Sequence, residues 1–374
     1  MSENYQGLGQ YSMEKGAARK RRSKYIVIGI VVLLVILIAG GVTAGILISN
    51  NNKSSSGGKS STDKSTDKNA SKDPSVFKKD PSLHKSFYGM AYTPEGSLLP
   101  ECGNSLENVI KDIQLLSQLT TRVRLYGADC NQTALVLEAI KQTKVEMEVF
   151  VGNYVVPTDN TPYIRQREAI KSAIEIYGTD HIAGVTVGNE FMLNYLTERK
   201  SNDAQSAIAR EGAAILIANI EDTRNMLASL GLKKNIPVGN SDAGSFFNTE
   251  VLSAIDYGLS NVHAWFANTT AEGAADWVTT FFEETNVQPA ALLPNNPKMY
   301  IAETGWPTKS SDLGNANNGA ADASVAGLQI FMDTFVCQAN KAGIPYFFFE
   351  FFDEEWKDHQ FGGVEGWWGI FNAE

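Results

Sequence analysis

The sequence predicts an α/β fold: a (β/α)8 TIM barrel over residues 86–374, preceded by a transmembrane helix and a disordered linker. Three observations predict it. From Ser86 onward, eight short runs rich in β-branched and aromatic residues alternate with amphipathic stretches. Successive runs start roughly 25–55 residues apart, which leaves room for a crossover helix between parallel neighbours each time. Ahead of this body stands a long apolar run without a single charge. An open doubly wound sheet is the competing architecture, but no Gly-rich nucleotide fingerprint follows the first strand.

Taken in order, residues 1–24 form a basic tail that ends in "ARKRRSK" (Ala18–Lys24). Tyr25–Ile48 runs for 24 residues without a charge. A helix of about 20 residues spans the hydrocarbon core, so the run is long enough. It is too long for the apolar region of a cleaved signal peptide, and no small-residue cleavage site follows. The basic flank then holds the tail in the cytosol and places everything after Ser49 outside it, a single-pass type II layout. Residues 49–85 are Ser, Lys, Asp and Thr with almost no apolar residues, and "STDK" occurs twice in a row. Such a composition cannot bury enough surface to offset its ordering entropy, so it reads as a tether.

The strand candidates begin at Phe87 (FYGMAY), Thr121 (TRVRLYG), Glu146 (EMEVFVGNY), Ile182 (IAGVTVGNE), Ile236 (IPVGNSD), Asn261 (NVHAWF), Lys298 (KMYIAETGW) and Pro345 (PYFFFEFFD). Between the first two, Leu106, Val109, Ile110, Ile113 and Leu116 share one helical face, with Asn104 or Ser105 as the cap. The helix before the last strand stops at Gly343.

The formal charge of −10 hides an asymmetry. Residues 1–85 carry 14 Lys+Arg against 6 Asp+Glu, whereas residues 86–374 carry 18 against 36. An acidic body excludes nucleic acid as a ligand, since phosphate binding needs a basic face, and suits a neutral one. Of three cysteines, Cys102 and Cys130 follow early strands where adjacent loops meet, and they are predicted to pair outside the cytosol. Cys337, in a helical pattern, is predicted to pack in the core as a free thiol. No Cys or His spacing matches a metal site, and no cofactor is predicted. Sequons begin at Asn52, Asn69, Asn131 and Asn268; the last three are the glycosylation candidates, Asn52 lying too close to the membrane.

In a barrel, function sits at the C-terminal ends of the strands. That rule selects Glu190 in "VGNE" after strand four and Glu303 in "AETGWP" after strand seven. It also selects Asn189, Asp242, His263, Glu350 and the cluster Asp353–Lys357. One surface glutamate after a strand is commonplace. Two facing each other across a barrel mouth have the equipment for glycosidic cleavage, one as proton donor and one as attacking or stabilising carboxylate. Their separation, which decides between retention and inversion, is not readable from sequence.

The strings "VGNE", "AETGWPT", "FFFEFFDEEWK" and "VEGWWGIF" resemble glycoside hydrolase family 17, the β-1,3-glucanases, over the whole body from Ser86 to Glu374. "QLLSQLTTRVRLYGADCNQTALVLEAI" is similar to its fungal cell-wall branch, and the anchor and tether look like those of a membrane-bound fungal member. The resemblance implies Glu190 as acid/base and Glu303 as nucleophile, hence retaining endo-hydrolysis of β-1,3-glucan. It implies that Asn189 bonds a sugar 2-hydroxyl and that Glu354, Lys357 and Glu365 form an accessory cluster. Glu354 and Lys357 also read as a surface ion pair. Tyr126 and His263 are candidate substrate contacts, or packing groups. All six tryptophans fall between residues 265 and 368. Trp306 and Trp356, beside motif residues, are the candidates for stacking on sugar rings, and Trp367 and Trp368 are expected to pack. A glucanosyltransferase would share every catalytic residue, and an inactive wall-binding barrel would not need both glutamates. The expected protein is a monomer on the plasma membrane whose partners are β-1,3-glucan and, through the N-terminal anchor, the lipid.

Overall fold

The computed structural model describes residues 73–372. The basic tail, the apolar run Tyr25–Ile48, most of the tether and the sequons at Asn52 and Asn69 lie outside the described residues. Among the described residues no helix is long and apolar enough to cross a membrane. Residues 73–85, placed in the tether by composition, run along the barrel's outer wall. The Pro74 carbonyl accepts from Gln114 Nε2 at 2.8 Å, the Asp80 N–H donates to Gln118 Oε1 at 2.7 Å, and Leu83 packs on the core. One leucine in a polar stretch is a weak sequence signal, but it anchors the strap.

Eight parallel strands close into a barrel: β1 (Gly89–Ala91), β2 (Arg122–Arg124), β3 (Glu148–Asn153), β4 (Ile182–Asn189), β5 (Val238–Ala243), β6 (Tyr257–Asn261), β7 (Lys298–Thr304) and β8 (Tyr346–Phe348). Each pairs with its neighbours in chain order, and β8 pairs with β1. The helices that position the mouth are α1 (Leu106–Leu116), α2 (Gln132–Thr143), α3 (Thr161–Tyr177), α4 (Phe191–Glu198), α5 (Ala207–Ser229), α6 (Thr249–Ala254), α7 (Ala271–Phe282), α8 (Val325–Phe331) and α9 (Glu355–Phe361). Ser105 caps α1, its hydroxyl accepting from the Asn108 N–H. The helical rod begun by α8 ends at Gly343, which adopts φ +69°.

Inside the barrel, Phe150, Tyr257, Leu259, Ala302 and Phe347 form a compact plug. Gly184 and Gly239 make room for it. A Cβ at either would stand 2.6 or 2.4 Å from the Tyr257 ring, so these strand glycines are required by close approach. The Tyr257 hydroxyl is satisfied by Thr186 at 2.8 Å. The plug is a floor: everything polar at the mouth rests on it.

Two sequence expectations are corrected here. Strand six ends at Asn261 rather than beginning there. "YGLSN" lacks β-branched residues and reads as a loop, yet all five positions are buried between β5 and β7. Cys337 is exposed, not in the core. The α8 rod passes through a π-helical turn at Met332–Val336, whose wider turn shifts the phase of the buried stripe. Phe335, Val336 and Ala339 take the core positions, and Cys337 is turned outward. The Cys102–Cys130 disulfide forms as expected between the loops after β1 and β2, with Cα atoms 5.1 Å apart. Asn131 and Asn268 are both exposed, in left-handed conformations that asparagine tolerates.

Candidate active site at the barrel mouth

β4 ends in an abrupt change of direction. Gly188 adopts φ +86° and Glu190 φ +54°, so the chain leaves the strand with the Glu190 side chain set over the mouth and enters α4 at once. Asp242, from the end of β5, holds that corner. Its buried carboxylate accepts from Met192 N–H at 2.8 Å, Leu193 N–H at 3.2 Å and Ala243 N–H at 3.0 Å. The strand-end rule selected Asp242 as a functional candidate; its structural work is to satisfy the free N–H groups of α4.

Glu303 stands on β7, three strand positions from β4. It is 6% exposed. Arg124 Nη1 donates to its Oε1 at 2.8 Å, and His263 Nε2 lies 3.1 Å from its Oε2. Arg124 Nη2 donates on to Asn189 Oδ1 at 2.6 Å and Ser241 Oγ at 2.8 Å. Asn261 Nδ2, next in register to Glu303, reaches Glu190 Oε1 at 3.1 Å. One polar network therefore joins both glutamates through β2, β4, β5, β6 and β7. With its oxygen committed to Arg124 and Ser241, Asn189 keeps its amide NH2 for a ligand.

The network polarises the two carboxyls in opposite senses. Burial pushes Glu190 up to about 7, and the nearby Glu303 charge adds to that. Burial would raise Glu303 too, but the His263 hydrogen bond and the Arg124 charge overcome it and hold Glu303 at about 2. Near neutral pH one group holds a proton and the other is a bare carboxylate. Divergent values in one pair mark an acid and its ionised partner. Among the described residues no cluster of His, Cys, Asp and Glu could hold a metal.

Around this pair, Tyr126 lays its ring against Arg124, 4.3 Å from guanidinium to centroid. Its hydroxyl is buried with no hydrogen-bond partner among the described residues. His263 is boxed by Trp368, Phe349 and Phe266, at 4.9, 5.2 and 6.0 Å between ring centroids. Lys357 pairs with Glu350 and with Glu354. Burial raises Glu365, which feels Lys357, His263 and Glu303. Trp356, half-buried on α9, keeps its ring centroid 5.8 Å from the Lys357 ammonium.

Trp306 does not line the cleft. It is fully buried, its Nε1–H donates to the Asp322 carbonyl at 2.8 Å, and it packs on Trp265 and Phe331. The chain turns inward after Gly305, which passes so close to Phe349 that a Cβ would strike its carbonyl. Adjacency to a motif in sequence carried Trp306 to the wrong side of the wall. Trp368 packs as expected, but against the imidazole of the site. Sequence reasoning missed Arg124, Ser241 and Asn261. The signal for Arg124 was present: an arginine inside "RVRLY", a strand buried in a parallel barrel, needs a buried anion.

Residues 89–369 match the family described as the BtgE/BtgC glycoside hydrolase domain. A probable glucan endo-1,3-beta-glucosidase btgC of Aspergillus terreus is 36% identical over 307 residues, 78% of this chain and 44% of that protein. The corresponding protein of Aspergillus flavus is 35% identical over 330 residues, 84% of this chain and 46% of its own length. The chain thus spans less than half the length of these relatives. Among solved structures, a Rhizomucor miehei glycoside hydrolase family 17 beta-1,3-glucanosyltransferase shares the fold at a TM-score of 0.60 and 23% identity, over 77% of this chain and 94% of that one. An endo-laminarinase from Formosa aligns at a TM-score of 0.61 and 18% identity, over 78% of this chain and 84% of that one.

Proposed function

The chain belongs to the BtgE/BtgC glycoside hydrolase family, and on that premise we propose that it hydrolyses internal bonds of β-1,3-glucan with retention of configuration. Glu190 donates its proton to the glycosidic oxygen while Glu303 attacks the anomeric carbon, breaking the bond and forming a glycosyl-enzyme. Glu190, now a carboxylate, takes a proton from water, which attacks the same carbon and frees Glu303. Arg124 and His263 keep the nucleophile ionised and aimed, and the free NH2 of Asn189 donates to a hydroxyl of the bound sugar.

The observation that carries this reading is the opposite polarisation of Glu190 and Glu303 within one hydrogen-bonded network. The glucanase names of the relatives support the substrate. The apolar run Tyr25–Ile48 behind "ARKRRSK" supports a plasma-membrane enzyme whose barrel faces the cell wall. Incubation of the full chain with a reduced laminari-oligosaccharide tests the reaction. Shorter products alone are expected; products longer than the substrate would make it a glucanosyltransferase, and none at all would remove the reading.

A further inference from the structure

One buried carboxylate has no part in the chemistry above. Glu350 stands two residues past the end of β8 and is 2% exposed. Its backbone is clamped on both sides: its N–H donates to the Trp368 carbonyl, and its own carbonyl accepts from the Ile370 N–H, each at 3.0 Å. Both carboxylate oxygens accept from Lys357 Nζ, each at 3.0 Å. The same ammonium pairs with Glu354.

The asymmetry of support matters. Glu350 stands on the barrel wall. Lys357 stands on α9, a seven-residue helix with no buried residue of its own. The lysine is therefore located by the glutamate, and not the reverse. A buried carboxylate is costly unless paired, and two carboxylates sharing one ammonium cost more than an apolar replacement of similar size. Stability alone does not account for the trio.

Its place does. β8 flanks β7 on the side away from β4, so the trio lies beside the nucleophile and not beside the acid. The Lys357 ammonium is 4.8 Å from the Phe349 ring centroid, and that ring meets His263, which holds Glu303. We propose that Glu350 is a positioning residue: it fixes the Lys357 ammonium, and through it the Glu354 carboxylate, where they receive hydroxyls of the sugar unit bound against Glu303. This rests on the glycosidase reading of the cleft.

Glu350→Gln keeps the shape and removes the charge. On laminari-oligosaccharides it is expected to raise KM about tenfold or more, with a smaller fall in kcat, because uniform sugar binding is what it disturbs. In a Lys357→Met background the same substitution is expected to add little. Unchanged KM, or losses that multiply in the double variant, would overturn the proposal. If the Gln variant does not fold, Glu350→Asp, which draws the charge back by one methylene, takes its place with the same expected rise in KM. A second readout needs no substrate. With lysines dimethylated by 13C-formaldehyde, the Lys357 signal should titrate at lower pH in the Glu350→Gln protein than in its parent. An unshifted titration would show that Glu350 does not hold the ammonium. A parent protein inert on β-1,3-glucan but showing the shift would retire the functional reading and keep the pairing.

Discussion

Glu190 and Glu303 are one side chain in two environments, and their mutants should differ in kind. On the proposed roles, Glu303→Ala removes the attacking carboxylate and is expected to abolish glucan cleavage. Azide entering that space directly should give an inverted product from an activated aryl glycoside. Glu190→Ala leaves the nucleophile intact, so such a glycoside should still form the covalent intermediate, and azide should restore turnover with retention. Retained product from the Glu303 variant would mean the roles are reversed. The same environments set the pH behaviour. Glu190 must carry its proton to donate, so kcat/KM should fall as pH rises through about 7. Its native value lies above an ordinary carboxyl's, so its contribution to stability is present in acid and lost as pH rises through about 7. Glu190→Gln should therefore match its parent near pH 4 and melt higher near pH 8. The gain is on the order of 1 kcal/mol once solvent screening of a partly exposed group is allowed for. A thermal melt at both pH values measures it; a variant less stable at pH 8 would contradict the burial argument. Both glutamates were legible in the sequence because a strand end is a position that sequence can mark. Arg124 carried a signal, a charge inside a buried strand, but its partners were not legible, because Glu303, Asn189 and Ser241 come from three other strands.

At the scale of elements, the barrel was readable because alternation and apolar periodicity are local properties. What failed was phase. Strand six was placed too late because three of its five buried positions are glycine or small polar residues and none is β-branched. Cys337 was placed in the core because a π-helical turn is invisible to a 3.6-residue count. Trp306 was placed in the cleft because the direction of the chain after Gly305 is set by Phe349 across the sheet. The corner that presents Glu190 gives a test. Asp242→Ala strands the N–H groups at the start of α4 and should destabilise the protein by about 1–3 kcal/mol. It should also lower kcat by loosening Glu190, whereas a pure stability effect would leave kcat of the folded fraction unchanged. The disulfide closes a sequence separation of 28 residues, worth about 3–4 kcal/mol in the loop-entropy account. Cys102→Ser should lower the melting temperature, and alkylation of the unreduced parent should label Cys337 alone. A bridge involving Cys337 would refute the pairing.

At the scale of the whole molecule, the charge asymmetry and the apolar run make a vectorial proposal: a basic tail inside the cell, an acidic barrel outside it. Protease added to intact cells should then remove the barrel and spare a tag on the tail; a tag digested from outside would contradict it. With a neutral polysaccharide as the proposed substrate, the acidic body also predicts weak dependence of KM on salt, because no net ionic attraction would draw the substrate in. Double displacement at one anomeric carbon is the proposal that unites the barrel, its network and its two unlike carboxyls. Proton NMR of the first product released from a laminari-oligosaccharide, recorded before mutarotation, tests that most directly. The β-anomer appearing first is the expected result. The α-anomer appearing first would mean inversion, and would remove Glu303 from the role of nucleophile.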